Sequence, residues 1–234
     1  MINQAQLTAE EVKSIQASFL NKVYLWMGLA LTVTGIVAMR VADSGAFMSM
    51  FNGTGSKAPF FILIAIELGL VVWLSARIDK MSSGFATALF ILYSALNGVT
   101  LSVLFYVYTS ASIASTFFIT AGTFAATSAY GYLTKKDLSS MGGFLMMALI
   151  GLIIASLVNI FLASSALYWL ISYVGVGIFI GLTAYDTQKI KKMSLELTLD
   201  SEAGKKGAVM GALALYLDFI NMFIFLLRIF GDRR

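Results

Sequence analysis

Long apolar runs, each about 17–25 residues, constrain this chain more than any other feature. A helix of that length rises 1.5 Å per residue and crosses the hydrocarbon core of a bilayer, which is about 30 Å thick. Lipid offers the backbone no hydrogen-bond partner, so each crossing must be helical. We therefore predict an all-α integral membrane protein with a tail at residues 1–22, a short tail at 231–234, and seven spans near 23–42, 59–78, 84–107, 112–133, 142–163, 166–189 and 208–230.

The composition supports a lipid environment and removes several kinds of chemistry. Of the 234 residues, 59% are hydrophobic and 12% are charged, whereas soluble domains have about 45–50% and about 25%. Cysteine and histidine are absent, which excludes disulfides, thiol catalysis, and metal sites built from thiolates or imidazoles. The usual side chain for sensing pH near neutrality is also missing. We expect no cofactor.

The positive charges predict the orientation. Cytoplasmic loops of membrane proteins are enriched in Lys and Arg. With seven spans and a cytoplasmic N-terminus, 11 of the 16 basic residues face the cytoplasm, and the others are Arg40, Lys57, Arg228, Arg233 and Arg234. A last segment that re-enters would instead place the basic tail "RIFGDRR" inside, and this alternative stays open. We interpret the net charge of +4 as topology and contact with anionic lipid, not as nucleic-acid binding.

Three acids lie within the apolar segments, where an ionised group costs about 2.5–3.5 kcal/mol. Glu67 shares a helical stripe with Arg77 in the second span, and Asp218 shares one with Asn221 and Arg228 in the last. Asp186 lies near the end of the sixth span, close to several lysines. The three acids therefore mark the candidate polar interior, with Glu67 and Asn221 as possible pore residues.

Structural explanations of these acids remain open. Asp186 could pair with Lys189 or Arg77, and Asp218 could form an interhelical hydrogen bond. If two acids meet, however, close like charges in a low dielectric cannot both ionise easily, so the pair titrates as a unit. Their oxygens would also suit Ca²⁺, and Arg77 would compete with the cation.

Two further segments have simpler interpretations. The stretch Lys191–Lys206 predicts a solvated loop with a flexible Gly204. The alternative interpretation is a surface on which a partner docks. Gly177 and Gly181 form a small-xxx-small pair that predicts close helix packing.

Three strings, "SAYGYLTKKDLSSMGGFL", "GLTAYDTQKIK" and "ALALYLDFINMFIFLLRIFG", resemble the transmembrane Bax inhibitor motif family in its bacterial inner-membrane branch. The resemblance implies seven helices with the last surrounded by the other six. It also implies a pH-sensitive calcium leak gated by Asp186, Asp218 and Arg77. Members are described as modulators of cell death or of membrane protein quality control. The family often has a Gly-Pro pair in its third span, whereas this chain reads "LNGVTLSVLF".

Three functions follow. The first is a passive cation leak, with Asp186 and Asp218 as the expected Ca²⁺ ligands. The second is a regulatory protein that binds a membrane protease or secretion machine through its N-terminal tail and the Lys191–Lys206 segment. The third is an intramembrane aspartyl protease, for which Tyr185-Asp186 fits, but "LYLD" at Asp218 departs from the Gly-x-Gly-Asp pattern of that class. We expect no enzymatic activity.

Overall fold

A computed structural model describes residues 8–45, 49 and 58–234. The described residues form seven long helices, a short helix and a 3-10 turn at Ile78–Lys80. In chain order the helices are α1 (Ala9–Ser44), α2 (Ala58–Arg77), α3 (Ser83–Leu101), α4 (Leu104–Val107), α5 (Ser110–Leu133), α6 (Ser139–Leu162), α7 (Ser165–Glu196) and α8 (Glu202–Phe230).

Helix α1 begins within the predicted N-terminal tail. The Thr8 hydroxyl accepts a hydrogen bond from the Glu11 amide at 3.3 Å, and the Glu11 carboxylate accepts one from the Thr8 amide at 2.8 Å. This reciprocal capping box satisfies two amides that would otherwise lack partners. The polar second half of the tail is therefore helical and continuous with the first apolar run.

The all-α membrane fold is confirmed, whereas seven crossings stay a prediction. Six helices are long and apolar enough to cross a membrane, and α5, the predicted span 112–133, is not among them. Helix α5 is rich in Ser and Thr, whose hydroxyls donate to carbonyls one turn earlier, as Thr120 does to Thr116 at 2.8 Å. Because the side of the C-terminus depends on the number of crossings, it also stays a prediction.

The last helix is the most buried of the six apolar helices. In α8, 72% of the most apolar window is buried, against at most 39% in the other five. Its fully buried side chains include Leu215, Tyr216 and Met222. The prediction that six helices surround it remains a prediction.

The third predicted span is interrupted without a proline. Helix α3 ends at Leu101 and α4 begins at Leu104. Between them the Ser102 hydroxyl donates to the Val99 carbonyl at 2.6 Å, and the Ser102 amide donates to the Gly98 carbonyl at 3.0 Å. Local side-chain hydrogen bonding thus accompanies the break in a span that lacks the family's Gly-Pro pair.

The predicted loop at Lys191–Lys206 is wrong in extent. Helix α7 continues to Glu196 and α8 begins at Glu202, so only residues 197–201 separate them. Gly204 is buried in the first turn of α8, where an added Cβ would overlap the Thr198 carbonyl. It serves close packing, and the prediction of a flexible loop glycine is wrong because tertiary contacts extend both helices.

The chain divides into two compact units. Unit 1 comprises the described residues up to Tyr108, with Met193–Leu213 and Arg234. Unit 2 comprises Thr109–Lys192 and Ala214–Arg233. Helices α7 and α8 contribute to both. The apolar core of unit 2 is formed by α6, α7 and α8 and includes Leu145, Leu152, Ile178, Phe179 and Met222.

Candidate functional site

Asp186 on α7 and Asp218 on α8 come together within unit 2. Asp218 is 4% exposed and Asp186 is partly buried. Their carboxyl groups lie close enough to interact directly. Two like charges at close range in a low dielectric cannot both ionise easily, so such a pair favours a state that holds one proton. The arrangement is therefore a closely spaced acid pair, with one member deeply buried.

One oxygen of the pair lacks a partner. The Oδ2 atom of Asp218 is buried and has no hydrogen-bond partner among the described residues. An unsatisfied buried polar atom typically costs about 1–3 kcal/mol. The pair is thus incompletely satisfied and retains an acceptor that a proton donor or a cation could use.

Two of the lysines that follow Asp186, Lys191 and Lys192, are engaged elsewhere in unit 2. Lys191 Nζ donates to the Tyr132 carbonyl at 2.7 Å and lies 4.9 Å from the centre of the Tyr132 ring. Lys192 Nζ lies 2.6 Å from Asp137 Oδ1. The predicted alternative of a close Asp186–Lys189 ion pair is not found among the described residues.

Glycines on two neighbouring helices allow the backbone beside Asp186 to pack closely. An added Cβ at Gly131 of α5 would overlap the Ala184 carbonyl, and one at Gly142 of α6 would overlap the Tyr185 ring. Gln188, two residues after Asp186, accepts from the Leu138 amide and donates to the Lys136 carbonyl, both at 2.8 Å. The helix that carries Asp186 is therefore held tightly on both sides of that residue.

Glu67 forms a separate buried acid site in unit 1. It is 6% exposed, and its carboxylate accepts hydrogen bonds from Asn97 Nδ2 at 3.3 Å and from the Thr100 hydroxyl. Sequence reasoning missed these partners. Their spacing on α3 was the available signal, because polar residues at i and i+3 share one face of a helix.

The structure does not test the predicted roles of Arg77 and Asn221, which stay predictions. Arg77 is exposed at the end of α2 in unit 1 and forms no ion pair among the described residues. Asn221 Nδ2 donates to the Leu217 carbonyl of its own helix at 2.8 Å. No group of three or more acidic, His or Cys residues that could hold a metal occurs in the described ranges. Ca²⁺ takes 6–8 oxygen ligands, so an aspartate pair alone would not complete its coordination.

Comparison with known proteins places the chain in a family. The model of the family described as "Inhibitor of apoptosis-promoting Bax1" matches residues 16–234. The chain is 53% identical over 219 residues to inner membrane protein YbhL of Escherichia coli K12, covering 93% of this chain and 92% of the relative. It is 49% identical over 220 residues to an uncharacterized protein of Borreliella burgdorferi, covering 94% of each. It is also 44% identical over 216 residues to one of Rickettsia prowazekii, covering 92% and 90%. The protein therefore belongs to the Bax inhibitor-1 family.

Proposed function

We propose that this protein is a pH-responsive cation leak of the bacterial inner membrane, with Ca²⁺ as the favoured ion. The observation that carries the proposal is the close approach of Asp186 to the buried Asp218. The name of the YbhL relative supports the inner-membrane location. The orientation in this proposal is N-terminus in the cytoplasm, from the distribution of basic residues.

The pair supplies a switch because its proton count changes the force between two helices. With one proton, the carboxyls attract each other through a hydrogen bond. Without it, two like charges at close range in a low dielectric repel. Since α7 and α8 each carry one member, the change acts directly on the spacing of these helices. In this proposal Arg77 is the counter-charge that competes with cations for the carboxylates.

A calcium-flux assay tests the gate. Purified protein is placed in liposomes, and Ca²⁺ entry is followed with an enclosed dye between about pH 6 and pH 8. We expect the parent to change its flux several-fold across this range. Asp186→Asn and Asp218→Asn should remove the pH response, because an amide cannot lose the shared proton.

Glu67→Gln is the matched control, since it also neutralises a buried acid but in unit 1. Its flux should keep the pH response of the parent. If both Asn variants respond to pH as the parent does, the aspartate gate is wrong. If the parent gives no flux above empty liposomes at any pH, the leak itself is wrong.

The second candidate, a regulator that docks on a membrane protease or secretion machine, receives less support from its proposed surface. In the Lys191–Lys206 segment, Glu202 accepts from the Ser83 hydroxyl at 2.9 Å and Lys206 donates to the Asp79 carbonyl at 3.0 Å. These charged groups are already used within unit 1. If this function holds, deleting the residues before Thr8 should abolish an effect on a protease partner while leaving flux unchanged.

A further inference from the structure

A cationic pocket lies in unit 2 where α6 ends, α7 begins and α8 ends. Its volume is about 560 Å³, and its lining includes Arg228, Arg233, Tyr168, Asn159 and Ser164. Among the described residues, no Asp or Glu lines it. A pocket with two guanidinium groups and no carboxylate favours an anion.

The pocket's arginines are positioned by aromatic contacts. The Arg228 guanidinium carbon lies 5.1 Å from the Phe225 ring centre and 5.7 Å from that of Tyr168. Arg233 Nη2 donates to the Tyr168 hydroxyl at 2.9 Å. Arg228 forms no ion pair with a carboxylate among the described residues. Asp232, beside Arg233 in sequence, accepts a hydrogen bond from the Ser112 hydroxyl at 3.4 Å.

Exposed aromatic residues beside this pocket are of the types that concentrate at the depth of lipid headgroups. Trp169 lines the pocket and stacks on Tyr173 with ring centres 6.0 Å apart. Both rings are exposed, at 43% and 59%. Trp and Tyr concentrate where a membrane meets water because their rings combine an apolar body with a polar group.

An apolar groove begins where the cationic pocket ends. It has a volume of about 460 Å³ and is lined entirely by apolar residues of α6 and α7. Ala155 of the groove lies one turn from Asn159 of the pocket, and Leu167 adjoins Tyr168. From Phe144 to Ala155 the groove follows α6 for about 16 Å. One leaflet of the hydrocarbon core is about 15 Å thick, so the groove has the length of an acyl chain in one leaflet.

Two glycines leave the groove open. An added Cβ at Gly151 or at Gly177 would meet nothing within 4 Å. The predicted packing role of Gly177 is therefore wrong, whereas Gly181 does pack closely, with Leu145 Cδ2 at 2.7 Å from such a Cβ. The small residue at 177 widens the groove because no neighbouring helix of its unit covers that position.

We propose that the pocket and the groove together bind one anionic phospholipid. Arg228 and Arg233 hold the phosphate, the Tyr168 hydroxyl donates to it, and an acyl chain lies along α6 and α7 over Gly151 and Gly177. This site is separate from the aspartate pair and does not depend on ion conduction.

Retention of lipid by the purified protein tests the site. The protein is reconstituted with equal amounts of phosphatidylglycerol and phosphatidylcholine, re-extracted into detergent, and its bound lipid measured by native mass spectrometry. We expect preferential retention of one phosphatidylglycerol. Arg228→Gln should lower that retention by about tenfold or more, because a charge-assisted contact is lost. Gly151→Leu should lower it as well by filling the groove.

The matched control is Gly122→Leu on α5, another position where an added Cβ meets open space. It should retain lipid as the parent does. Should Arg228→Gln fail to fold, Gly151→Leu and Tyr168→Phe carry the test. Equal retention of both lipids, unchanged by these variants, would overturn the proposal. So would binding of inorganic phosphate that needs Arg228 while Gly151→Leu leaves lipid retention intact, because the site would then take a free anion.

Discussion

The Glu67 site and the Asp186–Asp218 site both depend on close helix packing at glycines. They differ in the group that the buried acid contacts. Beside Asn97, one of the two partners of Glu67, an added Cβ at Gly98 would lie 2.7 Å from the Thr34 carbonyl oxygen. Beside Asp186, Gly131 meets the backbone of α7 in the same way. Glycines thus bring helix backbones close at both sites. Glu67, however, faces an amide and a hydroxyl, whereas Asp218 faces another acid and leaves one oxygen unsatisfied.

This difference separates an acid that is stabilised in place from one that depends on a proton. The two partners of Glu67 are an amide and a hydroxyl, and neither loses its proton near neutral pH. These partners therefore give its hydrogen bonds no pH dependence. The hydrogen bond between two carboxyl groups exists only while a proton is shared. Burial alone therefore does not identify a functional acid. The chemical nature of the group that the acid contacts is the better criterion.

The largest effect is expected from removing the Glu67 carboxylate. Glu67→Leu leaves Asn97 Nδ2 and the Thr100 hydroxyl without their acceptor, and each unsatisfied buried group costs about 1–3 kcal/mol. Glu67→Gln should be nearly neutral, because its oxygen accepts from Asn97 and its amide donates to Thr100. Thermal unfolding in detergent measures both. Equal stability of the Leu variant and the parent would mean that these hydrogen bonds do not hold the site.

A somewhat smaller loss should follow Gly131→Ala. The new Cβ would overlap the Ala184 carbonyl, and overpacking between two backbones costs about 1–3 kcal/mol. Gly122→Ala, on the same helix and facing open space, should be neutral or slightly stabilising, because Gly is about 1 kcal/mol worse than Ala in a helix. The two melting temperatures in one detergent give the comparison. If both variants behave alike, close packing of α5 on α7 is not required for the Asp186 region.

The smallest effect is expected at the Asp137–Lys192 ion pair, which lies outside the membrane spans. The hydrogen bond from Lys192 holds the pKa of Asp137 well below its usual range. The stabilisation is present above the unfolded-state pKa of about 3.9 and is lost as pH falls through the lower native value.

Asp137→Asn should therefore lower the melting temperature slightly and by the same amount across about pH 5–8. Added salt should shrink the difference, because both side chains are exposed. A loss that grows or vanishes between about pH 5 and pH 8 would show that this exposed pair also titrates near neutrality.

Sequence patterns predicted most of the fold because lipid permits few structures. Six of the seven predicted spans each follow one described helix, although α5 is less apolar than the others, and the third is divided between α3 and α4. The acids were identified from their cost in lipid, and the family strings pointed to Asp186 with Asp218. The extent of α7 and α8, and the roles of Gly177 and Gly204, were predicted incorrectly. A charged stretch has the composition of a loop even where neighbouring helices keep it helical. A glycine likewise suggests close packing even where no helix lies beside it.

By itself the sequence determined the helical membrane class, the family and the identity of the buried acids, because each follows from the transfer of residues into lipid or from strings of adjacent residues. Only the tertiary structure decided which groups the acids meet. Asn97 and Thr100 accompany Glu67, the lysines after Asp186 contact α5 and the Asp137 loop, and the arginines at the end of α8 line a pocket beside an apolar groove. Such contacts join residues tens of positions apart, and the helical period within one segment carries no information about the face that a distant segment presents to it.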